Sequence, residues 1–327
     1  MKTIGFFNNK GGVGTTSLVY HVAWMLAELS VPVLAVDLDP QANLTSMFLD
    51  EERLESLWAN DAANTIHGAL SPQFRGTGDI VPAIVQDIDT NIGLLAGDLR
   101  LSGFEDTLSD AWPRCANGEE RSFRVMSTFA RAIAAAGAQA GATVALIDVG
   151  PNLGSLNRAV LLGCDHVVVP LGADLFSLQG LGNMGPALRT WRETWRASRL
   201  KNPDPALILP AGGMAPAGYI VMRHATQSGT PARAFGRWID RIPSAYMREI
   251  LEDPSEPSGS VDTDPHCLAM LRDYRSLMPL AQEARKPMFQ LKPADGAFGG
   301  HQKAVQECGH DFDRLTRRIM TACGIPV

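Results

Sequence analysis

The chain has 327 residues, 45% hydrophobic and 20% charged, with a formal charge of −6. This is ordinary globular material, long for one domain but acceptable for an α/β fold, and the acidic balance gives no general affinity for nucleic acid, which needs clustered Lys and Arg. The longest uncharged stretch, Ala206 to Met222, is broken by Pro210, Pro216 and three glycines, so no run reaches the roughly 18 apolar residues of a membrane helix. No signal peptide is expected, because the N-terminus enters directly as a strand. Five cysteines without C-x-x-C spacing argue for reduced thiols in the cytoplasm and against zinc or iron–sulfur ligation.

Lys2 to Asn8 reads as a short buried strand feeding the glycine-rich loop Asn9-Lys10-Gly11-Gly12-Val13-Gly14-Thr15-Thr16-Ser17. Thr16 to Leu29 is apolar nearly all round, as in a helix packed on a sheet. Val31 to Val36 is a second strand, apolar on both faces in the manner of parallel sheets, and it delivers Asp37 and Asp39 to its carboxyl end. Further on, Arg121 to Ala138 reads as a helix, Thr143 to Ile147 as a strand ending at Asp148, Leu156 to Leu162 as a helix and His166 to Leu171 as a strand. Leu178 to Ser198 predicts a long helix with Trp191 and Trp195 as core anchors, and Tyr219 to Met222 a strand. The Pro-, Ser- and Asp-rich stretch Glu252 to Pro265 reads as a mobile surface loop. Lys303 to Thr321 closes the chain as an amphipathic helix burying Ala304, Cys308, Phe312, Leu315 and Ile319. This alternation predicts a doubly wound, mostly parallel α/β sheet flanked by helices, one domain over 1–327 with insertions near 50–120 and 250–280.

Glycines at this spacing let backbone N–H groups turn around phosphate oxygens at the start of a helix, whose dipole favours an anion. Glycine-rich turns are common, so the weight lies in the ordered set that follows. The loop, then Asp37-Leu38-Asp39-Pro40-Gln41-Ala42-Asn43, then Leu146-Ile147-Asp148-Val149-Gly150-Pro151 resemble the three motifs of the ParA/MinD group of P-loop ATPases with a deviant Walker A loop, the ParA branch being the closer fit. Val167-Val168-Val169-Pro170-Leu171 and the tail from Ala281 through Lys286-Pro287 look similar as well.

The resemblance implies a P-loop NTPase fold that binds ATP and Mg²⁺. Gly11, Gly12, Val13, Gly14, Thr15, Thr16 and Ser17 would cradle the phosphates; Thr16, Asp37 and Asp148 would serve the metal; Asp39 would orient water. Lys10 would reach the nucleotide of a second copy, making a nucleotide-dependent homodimer. Partitioning of DNA or positioning of a cargo, with a partner protein that stimulates hydrolysis, is the activity implied.

Thr15 departs from the pattern, since a lysine that reaches the β- and γ-phosphates belongs there. Losing a charge-assisted bond worth about 1.5–3 kcal/mol weakens nucleotide binding by roughly ten- to a hundredfold. Slow or absent hydrolysis, compensation by a partner's Lys10, and a replacement that traps one state all remain open, as does a non-hydrolysing regulator or scaffold. Arg189, Arg192, Arg196 and Arg199 recur at three- and four-residue steps, a basic stripe that is either a solvated helix face or a surface for non-specific DNA. Smaller groups lie at Arg233, Arg237 and Arg241, and at Arg314, Arg317 and Arg318.

Overall fold

Short aliphatic runs punctuated by Gly, Pro and Asp become the strands of one eight-stranded sheet, and the longer periodic segments cover both of its faces. The computed structural model describes residues 1–59, 63–224, 226–227, 230–231, 233–255, 259–274 and 276–326, without the side chains of 223–235. The strands are β1 (Lys2–Phe6), β2 (Val33–Leu38), β3 (Gln86–Asp89), β4 (Ile92–Leu95), β5 (Val144–Val149), β6 (His166–Gly172) and β7 (Ala215–His224), with β8 (Thr226–Gln227) and β9 (Thr230–Pro231) as a small separate hairpin, and β10 (Cys267–Arg272). The order is β10-β7-β6-β1-β5-β2-β4-β3, parallel throughout except for the antiparallel edge pair β3–β4. The stretches near 50–120 and 250–280 each place strands in this sheet, at opposite edges.

One face is covered by α1 (Thr15–Glu28), α2 (Asn43–Phe48) and α3 (Glu51–Trp58), together with α12 (Leu277–Ala284) and α13 (Gly300–Ala322). The other carries α4 (Ile66–Arg75), α5 (Glu105–Cys115), α6 (Glu120–Met126), α7 (Thr128–Gln139), α8 (Ser155–Leu162), α9 (Leu175–Arg199), α10 (Arg233–Ile239) and α11 (Ile242–Tyr246). β2 and β5 are buried at every residue, the pattern of a sheet covered on both sides. Trp191 and Trp195 are core residues as expected, and so are Cys308, Phe312, Leu315 and Ile319; Ala304 is only half-buried. All five cysteines are buried and free.

One expectation fails for an identifiable reason and another gains detail. The helix predicted over Arg121 to Ala138 breaks at Ser127, where the Ser127 hydroxyl donates to the Arg124 carbonyl at 3.1 Å and the Thr128 hydroxyl to Val125 at 2.8 Å, so side chains compete for the helical acceptors. The stretch from Glu252 to Pro265, read as a mobile surface loop, is irregular and mostly exposed in its described part, with two buried anchors. Val261 is buried, and buried Asp264 accepts a hydrogen bond from the Tyr219 hydroxyl at 2.5 Å and from the His266 N–H at 3.0 Å. Its polar composition hid these two anchors; residues 256–258 lie outside the described residues.

Candidate functional site

Residues 7–14 join the carboxyl end of β1 to the start of α1, where ligands of open α/β sheets gather. The loop is held at its root: the buried Asn8 amide donates to the Pro170 carbonyl at 2.5 Å, and the Lys10 N–H donates to Asn8 Oδ1 at 3.0 Å. Gly12 and Gly14 take φ of 77° and 96°, a left-handed backbone that glycine adopts without strain. Gly14 is the N-cap of α1 and no side chain caps that helix, so its first N–H groups are left for an anion. A cavity of about 660 Å³ opens over this loop and is also lined by Asp39, Tyr20, His21, Met278 and Arg285. Lys10, Gly11, Gly12, Gly14, Thr15, Thr16 and Ser17 are on its wall, whereas the Val13 side chain is buried in the core.

Asp37 and Asp148 face each other in register on β2 and β5, both buried below the cavity wall. Their environments differ. Asp37 Oδ2 accepts from the Thr45 N–H at 2.8 Å and the Thr45 hydroxyl at 2.7 Å, which ties β2 to α2. Burial pushes the Asp37 carboxyl up to about 6, the Thr45 bonds opposing and the Asp39 charge adding to the rise. Asp37, expected to serve the metal, thus ties one oxygen to α2, while its buried Oδ1 has no partner among the described residues. Asp148 has no hydrogen-bond partner for either carboxylate oxygen among the described residues. Burial and then the neighbouring Asp37 charge hold its pKa well above the usual carboxylate range; Thr16 favours its charged form, and Asp39 adds repulsion. Such an orphaned carboxyl is costly unless a cation or donor arrives. Asp39, on the wall, accepts from the Gln41 N–H at 2.9 Å.

This donor set fits Mg²⁺. The ion prefers one or two carboxylates plus water and phosphate oxygens to a full protein cage, and no group of three or more His, Cys, Asp or Glu that could hold a metal occurs among the described residues.

Lys10 carries a partner that sequence reasoning missed. Its Nζ pairs with Asp174 Oδ2, while Asp174 Oδ1 caps α9 by accepting from the Ser177 N–H at 2.9 Å. Burial works against the charged form of Asp174, but the Lys10 and Ser177 bonds and the Lys10 charge hold its carboxyl below the usual range. Asp before a helix was readable as a cap; its pairing with a lysine 164 residues earlier was not.

The arginine stripe of α9 is largely committed to scaffold contacts. Arg189 donates to the Glu249 carbonyl at 2.6 Å, Arg192 to Met214 at 2.9 Å and Arg199 to Ala211 at 2.9 Å, while Arg196 points outward and is exposed. Arg189, Arg192 and Arg199 are thus half-buried and tethered to neighbouring carbonyls while keeping their charge, and Arg196 is the exposed member of the stripe. Arg237 and Arg241 lie 4.7 and 5.4 Å from the Trp238 ring centre; the Arg233 side chain lies outside the described residues. Arg314 pairs with Asp311 at 2.8 Å and Arg317 with Asp313 at 3.0 Å. No described helix is long and apolar enough to cross a membrane.

A family model described as an AAA domain matches residues 1–201. Protein IncC of Escherichia coli is 30% identical over 193 residues, 59% of this chain and 47% of that protein. The chromosome partitioning protein ParA of Caulobacter vibrioides is 28% identical over 181 residues, 55% of this chain and 60% of the relative. The matches therefore span about half to three fifths of these relatives' lengths. Among solved structures, protein DIP2308 of Corynebacterium diphtheriae is 25% identical with a TM-score of 0.74 and coverage of 98% of both chains. A putative plasmid partition protein of Borrelia burgdorferi bound to AMPPNP shares the fold at 16% identity, with a TM-score of 0.61 and 98% of both chains covered. By matched family, motif geometry and sheet, this chain belongs to the ParA-like P-loop ATPases.

Proposed function

We propose that the protein is an ATP-dependent switch for partitioning DNA or positioning a cargo in the cytoplasm, pairing two copies when nucleotide is bound and turning it over slowly. One observation carries the reading: Asp148, buried with no hydrogen-bond partner in the geometry for either oxygen among the described residues, neighbours Thr16 in the first turn of an uncapped helix. Thr16 and Asp148 would hold Mg²⁺ or its water. The ion would supply charge neutralisation between phosphates. The N–H groups of Gly11 to Thr16 would bind and orient the phosphate chain, and Asp39, on the cavity wall, would align a water. Lys10 leaves Asp174 to meet the second copy's nucleotide. Relatives named for partitioning, and the AMPPNP-bound Borrelia protein of the same fold, support this assignment.

Thr15 favours a second reading, a nucleotide-bound regulator without turnover. Gel filtration and phosphate release separate the two. ATP should shift the chain to a dimer and Lys10→Ala should prevent it; a Lys10→Ala variant that still dimerises defeats the trans role. Turnover at background in the native chain, restored by Thr15→Lys, supports the regulator, and robust native turnover defeats it.

A further inference from the structure

Three cationic side chains line the cavity: Lys10, Arg285 and Lys286. Two have counter-ions. Lys10 is held by Asp174, and Lys286 donates to both oxygens of Asp295, at 2.7 and 3.0 Å. Arg285 is exposed and has no ion pair or side-chain hydrogen bond among the described residues.

Its backbone is unusual too. Arg285 terminates α12 at φ 49° and ψ 46°, the left-handed position that glycine ordinarily fills at a helix end. Of the five non-glycine residues with positive φ among those described, it alone lines the cavity. A non-glycine residue held in this conformation, its guanidinium without a polar partner among the described residues, points to a ligand. The surrounding chain fixes where this side chain stands. Before it, the Ser17 hydroxyl contacts Met278 Sδ at 3.5 Å; after it, the Met288 N–H donates to His21 Nε2 at 3.1 Å. The segment that carries Arg285 is therefore fastened to α1 at two successive turns beside the phosphate loop.

We propose that Arg285 supplies the cationic contact to the nucleotide's phosphates that Thr15 cannot make. The inference rests on the nucleotide-binding reading above. It follows from charge: the loop faces Asp39 and the buried Asp148, its usual lysine is absent, and a guanidinium is suited to phosphate oxygens.

The test is a two-by-two cycle of Arg285→Gly and Thr15→Lys, with calorimetric titration of ATP, ADP and adenosine at low salt and Mg²⁺ present. Glycine suits the left-handed backbone, so the melting temperature of nucleotide-free Arg285→Gly should be unchanged or higher. ATP and ADP affinity should nevertheless fall about tenfold, with adenosine unaffected. In the Thr15→Lys background the same change should cost less than about threefold, because the two cations replace each other. Equal losses in both backgrounds, or an equal loss for adenosine that marks stacking on the base, overturn the proposal, as does no loss. If the native chain binds no ATP, the nucleotide-binding reading falls and this inference with it; if it binds ATP and Arg285→Gly binds as well, this inference alone falls.

Discussion

The carboxylates at the strand ends and the arginines of α9 are both rows of like charge brought together by regular structure, and the protein treats them in opposite ways. On α9 the guanidiniums are drawn onto the carbonyls of Glu249, Met214 and Ala211, so most of the row serves to fasten neighbouring segments. Beneath the cavity, Thr45 answers one oxygen of Asp37 and leaves the other unpaired, while Asp148, directly across the ladder, has Thr16 beside it and no hydrogen-bond partner in the geometry for either buried oxygen among the described residues. A charge that finds a partner inside the fold is scaffold; a buried charge without one is held for something that comes from outside.

Asp148→Asn is the sharpest way to break this contrast. Mg²⁺-dependent enhancement of ATP affinity should drop about a hundredfold, while the nucleotide-free protein gains about 1–3 kcal/mol in urea unfolding, because a stranded buried carboxyl has been removed. Loss of stability instead would assign Asp148 to the scaffold.

His21 provides the next test. It is fully buried, touches Ser17 and Met288, and burial lowers it to about 4 from 6.5, the Ser17 carbonyl opposing. Below pH 6.5 the unfolded chain takes up a proton that the folded chain refuses, so stability present above 6.5 is lost as pH falls toward 4. The slope is about 1.4 kcal/mol per unit, or about 2 kcal/mol between pH 6.5 and 5. Unfolding curves of His21→Gln should lack that part of the loss; the opposite contribution of Asp37 is common to both proteins and cancels.

Arg192→Ala should cost about 1–2 kcal/mol, since the carbonyl of fully buried Met214 loses its donor. The smallest effect is expected at Arg196, where substitution by alanine should shift stability by less than about 0.5 kcal/mol. If Arg196→Ala instead lowers salt-sensitive retention of ATP-loaded protein on duplex DNA, this one outward arginine belongs with the functional charges and the contrast sharpens.

How much of this was legible in the chain depended on sequence distance. The glycine loop, Asp37, Asp39 and Asp148 each announce themselves locally, because a strand, a turn and a helix start are written in consecutive residues. The parallel sheet followed from their alternation. What escaped were partnerships between remote positions, such as Lys10 with Asp174 and Tyr219 with Asp264. The α9 stripe was legible only in part for the same reason: helical spacing reported that the arginines share a face, but not that the carbonyls of Met214 and Glu249 would be waiting there. Asp37 was read by type and position, and the tether of one of its oxygens to the Thr45 side chain, supplied by the next helix, was not legible.

α8 also starts close to the carboxyl end of β5, and its first turn presents free N–H groups of its own. Glu105 closes it: one carboxylate oxygen takes the Ser155 N–H and the other takes that of Leu156 at 3.0 Å. The fold thus carries a built-in decoy anion, a plug that spends the second socket on the protein's own side chain. Of these two helix starts at the carboxyl ends of β1 and β5, only that of α1 is left open.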